Sequence, residues 1–205
     1  MQSKTLPRRT LLIAALAGLM LSLSLLLYFT PKSLIRSGSA TPIATTPALS
    51  KQERITYGLP VRLKIPSINV DAPVEYVGLT PDGAMDVPKE RAHVAWFNLG
   101  PRPGENGSAV IAGHYGWRKD KKGSVFDNLH TLRKGDTLYI EDDKGMVTSF
   151  VVRESRMYDP EADASDVFGS SDGRARLNLV TCEGVWDKVS QTYSKRRVVF
   201  AEAAR

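Results

Sequence analysis

Cys182 is the only cysteine in the chain, so no intramolecular disulfide is possible and the thiol is either a small buried filler or a free nucleophile. It closes the apolar run Leu177-Asn178-Leu179-Val180-Thr181, where a strand is expected to give way to a polar loop over residues 183–194. A strand end holds the backbone rigid while leaving the side chain accessible, which suits a nucleophile better than a core residue. A thiol attacks as the thiolate, so a base or a cation must stand beside it. Among His93, His114 and His130, only His114 repeats the context of the cysteine. It ends the apolar run Ala109-Val110-Ile111-Ala112-Gly113 and opens a loop containing Gly116, Trp117 and several lysines. Two such side chains at the ends of separate strands can meet at one rim of a barrel.

The third candidate is the basic run Lys195-Arg196-Arg197, which opens the strand Val198-Val199-Phe200-Ala201. Such a run is ordinarily a solvated face. Acyl transfer, however, builds negative charge on an oxygen, and a guanidinium is a permanent, planar donor able to meet it. Side chains alternate along a strand, so Arg196 and Arg197 point to opposite faces and only one of them can look toward Cys182.

The elements that must position these residues read as strands. Period-two alternation, β-branched residues and turn signals predict eight, at 61–65, 72–78, 84–87, 108–113, 137–141, 146–154, 176–181 and 196–202. Asp142-Asp143-Lys144-Gly145 reads as a hairpin turn between two of them. Only 124–132 and 162–168 look helical, and both are short. The fold class expected is therefore all-β, an antiparallel barrel or sandwich. The loops 158–173 and 183–194 are expected to line its pocket.

Charge and composition set the remaining bounds. The net charge of +6 and the pI near 9.5 would invite a nucleic-acid reading. Residues 1–58, however, hold seven Lys or Arg against the single acidic residue Glu53, leaving 21 basic against 21 acidic residues in 59–205. The folded part is neutral, and no nucleic-acid partner is expected. The uncharged run 11–29, nineteen residues flanked by Arg8, Arg9 and Lys32, would span roughly 28 Å as a helix, close to the thickness of a hydrocarbon core. It is longer than the apolar part of a cleaved signal. The expected organisation is a cytoplasmic N-terminus at 1–9, a transmembrane anchor at 10–30, a Pro, Ser and Thr-rich tether at 31–58 and a catalytic domain at 59–205 on the outer side.

Ala112-Gly113-His114, followed about 70 residues later by Leu179-Val180-Thr181-Cys182, a variable loop and then Arg196-Arg197 heading the last strand, resembles the sortase family over about residues 60–203. The resemblance implies an eight-stranded sortase-type β-barrel with one or two short helices. It implies a cysteine transpeptidase that cleaves a Leu-Pro-any-Thr-Gly-like sorting signal at the Thr-Gly bond through a thioester on Cys182. The acyl group would pass to an amine, a peptidoglycan precursor or a pilin lysine, which anchors surface proteins to a Gram-positive cell wall. In this pattern His114 is the general acid and base, and Arg196 steadies substrate and oxyanion, with Arg197 as its alternate. Thr181, Ala112 and Gly113 would line the substrate. The layout looks most like classes D, E and F, and neither a cofactor nor a metal is expected. An L,D-transpeptidase, which also uses Cys, His and Arg, would need a Ser-His-Gly-any-any-Arg neighbourhood that is absent here. A non-catalytic, membrane-tethered adhesion module would keep Cys182 buried and inert to thiol reagents.

Overall fold

In the strand β5 (Thr137–Asp142), Leu138 and Ile140 are buried while Thr137, Tyr139 and Glu141 are half-exposed, the alternation of a sheet with one face on a core. The same two-residue period in β1 (Pro60–Ile65) buries Leu63 and Ile65. In this computed structural model, which describes residues 56–116, 123–170 and 172–204, six further strands complete the sheet: β2 (Val70–Val77), β3 (Val94–Phe97), β4 (Gly107–Gly113), β6 (Val147–Tyr158), β7 (Ala175–Asp187) and β8 (Thr192–Ala203). They close into a barrel in the order β1-β2-β3-β4-β7-β8-β6-β5. Closure leaves no long edge unpaired. Neighbours are antiparallel except β2 with β3 and β4 with β7, which run parallel.

The interior is filled by Leu63, Ile65, Ile111, Phe126, Phe150 and Leu177, among others. A second, smaller cluster lies on the outer surface, where Val110, Val198 and Phe200 meet Val167 of the short helix α1 (Ser165–Phe168). The helix is pinned there by Asn178, wholly buried, whose Nδ2 donates to the Val167 carbonyl at 2.6 Å. Both faces of β4 and β7 are thus covered over much of their length, which is why their sequences read as continuous apolar runs.

Several expectations are corrected. The segment 84–87 is not a barrel strand: it contributes only an isolated bridge between Leu79 and Met85. Its place is taken by β3, where Val94, Ala95 and Trp96 are all buried, so no alternation marks the strand. Of 124–132, only Leu129–Thr131 is helical, as a 3₁₀ turn, and of 162–168 only α1. The predicted turn at 142–145 is present, with Gly145 at φ +78 and its N–H bonded to the Asp142 carbonyl at 3.0 Å.

That turn also receives the incoming chain. Asp142 accepts the Gly58 N–H at 2.7 Å, Asp143 accepts the Leu59 N–H at 2.8 Å, and Arg102 donates to the Tyr57 carbonyl at 2.8 Å. The expected anchor at 10–30 and the tether up to residue 55 lie outside the described residues. No helix among the described residues is long and apolar enough to cross a membrane. Following the pairings from β1 through β2 and β3 to β4, the start of β1 lies at one pole of the barrel, and the ends of β4 and β7 lie at the other.

Candidate active site

The parallel register of β4 and β7 sets Ala112 beside Val180. Two residues further along each strand are His114 and Cys182, on the same side because two steps restore the face. The antiparallel register of β7 and β8 sets Cys182 opposite Arg196. His114, Cys182 and Arg196 therefore occupy adjacent positions across three neighbouring strands at one rim. Their face is the outer one, since Val110 and Val198, which share their alternation, belong to the outer cluster, whereas Ile111, Leu179 and Val199 fill the interior. Cys182 is half-buried, reachable yet partly screened from water.

The imidazole of His114 donates from Nε2 to the Pro88 carbonyl at 2.7 Å. A carbonyl only accepts, so Nε2 carries the hydrogen and Nδ1 is left to take or give a proton. The residues next to His114 are hydrogen-bonded: Asp127 accepts the N–H groups of Gly116 and Ser124 at 2.7 and 2.9 Å, and Arg91 donates to the Tyr115 and Gly116 carbonyls at 3.0 and 2.5 Å.

Thr181 and Gly113, expected to line the substrate, face the barrel interior rather than the outer face that carries Cys182. The Thr181 hydroxyl donates to the Gly113 carbonyl at 2.7 Å, locking β7 to β4 one residue before the cysteine and the histidine. The Phe126 ring occupies the position a Cβ on Gly113 would need. Of the three residues expected to line the substrate, only Ala112 has its side chain on the outer face, half-exposed.

The arginines separate by face. Arg196 lies on the side of Cys182, with Nη1 donating to the Tyr193 and Lys195 carbonyls at 2.9 and 3.0 Å and Nη2 to the Thr192 hydroxyl at 2.9 Å. Arg197 sits opposite Thr181 on the other face. Its Nε and Nη2 grip the Glu183 carboxylate and its Nη1 donates to the Ser155 hydroxyl at 2.9 Å. The Glu183 bond raises the Arg197 pKa further, against the opposing effect of burial.

The expected loop over 183–194 is largely strand. β7 runs through Asp187 and β8 begins at Thr192, with the register shifted between Glu183 and Trp186 and Gly184 at φ +89. Cys182 thus precedes a bulge inside a long hairpin rather than ending a strand, and the bulge turns the chain beside the thiol. Beyond it Tyr193 packs edge-on against Tyr115 and Trp186, with ring centroids 5.3 and 5.0 Å away. Its hydroxyl pKa is pushed up chiefly by burial; Arg91 opposes this, while Tyr115, Cys182 and Asp127 add to it. Sequence inspection missed Tyr193 and Arg91: Tyr193 had the nearby Arg196 as a signal, whereas Arg91 lies far from both motifs in sequence and is brought to the site by the fold. Among the described residues no group of three or more His, Cys, Asp or Glu side chains could hold a metal ion.

The arrangement can support nucleophilic attack by sulfur, with proton transfer on one side and a cation on the other. The family model described as Sortase domain matches residues 63–204. Among solved structures, sortase C-1 from Actinomyces oris is similar, with 27% identity and a TM-score of 0.56 over 70% of this chain and 73% of that one. Sortase C from Clostridium perfringens has 23% identity and a TM-score of 0.53, covering 74% and 73% of the two chains. A lid mutant of sortase A from Corynebacterium diphtheriae has 21% identity and a TM-score of 0.56, covering 75% and 74%. No curated protein matches the chain.

Proposed function

The chain belongs to the sortase family, and from that premise we propose that it is a cysteine transpeptidase with Cys182 as nucleophile, His114 as acid and base, and Arg196 as the stabiliser of substrate and oxyanion. The observation that carries the reading is the register, which sets the only cysteine between His114 and Arg196 on one accessible rim.

In the proposed cycle Nδ1 of His114 takes the Cys182 thiol proton, and the resulting thiolate attacks the threonine carbonyl carbon of a Leu-Pro-any-Thr-Gly-like signal, forming a C–S bond and placing negative charge on the carbonyl oxygen. Arg196 faces that charge with a fixed fork of donors. The C–N bond to glycine then breaks, and His114 gives its proton to the departing amine. An acceptor amine, from a peptidoglycan precursor or a pilin lysine, attacks the thioester. His114 takes the amine's proton and the thiolate leaves, restoring the enzyme.

The test is to incubate the full-length chain with a library of Leu-any-any-Thr-Gly peptides and an amine acceptor and to read the products by mass. Cleavage at Thr-Gly with transfer to the amine is the expected result, and no cleavage of any peptide would overturn the reading. We further propose that residues 11–29 hold the chain in the cell membrane as a single pass with the domain outside. Resistance to carbonate extraction supports this, and a soluble product with its N-terminus near Thr41 would overturn it.

A further inference from the structure

Among the described residues, the ring of His114 is oriented by a backbone carbonyl: Nε2 donates to Pro88. Pro88 belongs to the connection between β2 and β3, which carries the bridge between Leu79 and Met85 and, within the turn 88–93, the His93 N–H on the Glu90 carbonyl at 3.1 Å and the Val125 N–H on the Arg91 carbonyl at 3.0 Å. A carbonyl in such a segment points where the neighbouring peptide units are held. The next two N–H groups, of Lys89 and Glu90, both donate to the carboxylate of Glu75, at 3.0 and 3.3 Å. The same carboxylate is 2.9 Å from Nδ1 of His93, where the segment rejoins the sheet as β3. One side chain on β2 thus gathers donors from both ends of the turn 88–93.

Its location bears on the chemistry. Val74 packs against the interior cluster, so Glu75 stands on the outer face. Val94 pairs with Gly113, and one residue beyond that pair in each chain are His93 and His114. Glu75 on β2, His93 just before β3, His114 just after β4, Cys182 on β7 and Arg196 on β8 therefore follow one another around the rim.

We propose that Glu75 is a positioning residue for His114: its carboxylate fixes the turn 88–93, and the Pro88 carbonyl of that turn holds the imidazole in the Nε2–H tautomer, presenting Nδ1 for proton transfer. The proposal rests on the assignment of His114 as acid and base made above. A carboxylate is suited to the task because it only accepts. An amide in its place has one acceptor oxygen and brings two N–H donors of its own, so one N–H of the turn would face another N–H. Burial pushes the Glu75 pKa up, but the donors of Lys89, His93 and Glu90 outweigh it and hold the carboxyl below its usual range, so it is ionised at neutral pH.

The test is Glu75→Gln in the full-length chain, read by peptide-cleavage kinetics and by the ¹⁵N resonances of the His114 ring, assigned against His114→Asn. We expect kcat to fall roughly tenfold to a hundredfold, the cost of misplacing a reacting group by about an ångström, with KM little changed. The Nε2 resonance should move from that of a protonated nitrogen toward the average of the two tautomers. Glu75→Asp, which keeps the charge, should recover part of both signals, and it carries the same test if Glu75→Gln fails to fold. Unmoved His114 resonances, or a change in KM alone, would overturn the proposal. Because the resonances are read without substrate, they stand apart from the acid–base assignment, which would instead fail if His114→Ala cleaved peptide at the parent's rate.

Discussion

On the face it shares with Cys182, Arg196 is held by the Tyr193 and Lys195 carbonyls and the Thr192 hydroxyl, while Arg197 is half-buried on the other face in a two-pronged grip on Glu183. The two should respond differently to the same change. Arg196→Lys keeps the charge and loses the planar fork, so acylation should slow by roughly 10²-fold, the scale of losing one oxyanion donor. Arg197→Lys should leave acylation nearly unchanged and lower the thermal midpoint, since a single ammonium cannot replace both bonds to Glu183 and the one to Ser155. Stopped-flow acylation together with thermal unfolding separates these outcomes, and the reverse pattern would move the role to Arg197. The sequence carried this much of the site: the types Cys, His and Arg, their motifs, and the rule that only one arginine could face the thiol. Which one is set by the register of β7 against β8, a long-range pairing that no local pattern encodes. The same limit hid Glu75, an acidic residue on a strand with nothing in its neighbours to link it to a turn 14 residues away.

At the scale of elements, β4 and β7 are the pair that brings His114 and Cys182 together, and they are joined below the site by Thr181 on the Gly113 carbonyl. Gly113 is required because the Phe126 ring, fully buried, lies where a Cβ would go. Gly113→Ala should therefore cost about 1–3 kcal/mol of stability, the usual range for overpacking a filled core. Phe126→Leu in the same chain should restore part of it, a coupling that urea unfolding of the single and double variants would measure. A Gly113→Ala chain as stable as the parent would contradict the packing described here. Most strands were legible because one face is buried and one is not. The exceptions have physical causes. In β3 both faces are covered, which erases the alternation, and 84–87 has apolar residues but no barrel neighbour. The extension of β7 past the cysteine was hidden by Gly184 and the polar residues around it. It persists as strand through cross-strand contacts such as Trp186 on Tyr193.

For the molecule as a whole, the pole opposite the site is closed by the turn at 142–145, which receives the entering chain. Asp142 is buried; burial pushes its pKa up, but the N–H groups of Gly58, Met146 and Lys144, with the Lys144 charge, outweigh that and hold it below the ordinary carboxylate range. Its folded-state pKa is thus lower than the unfolded value of about 3.9, so its contribution to stability is present above that value and is lost as pH falls through the folded-state pKa. Denaturant unfolding should show Asp142→Asn less stable than the parent at pH 7, with the gap closing below about pH 4. A gap independent of pH would contradict the assignment. Acyl transfer through Cys182 is read out by the intact mass of the full-length chain after brief exposure to a Leu-Pro-any-Thr-Gly peptide without an acceptor. The expected result is an adduct, removable by hydroxylamine and located on Cys182, whose added mass equals the peptide up to its threonine less one water. An unmodified Cys182 beside cleaved peptide, or a Cys182→Ala chain retaining more than about one part in a thousand of the turnover, would contradict it.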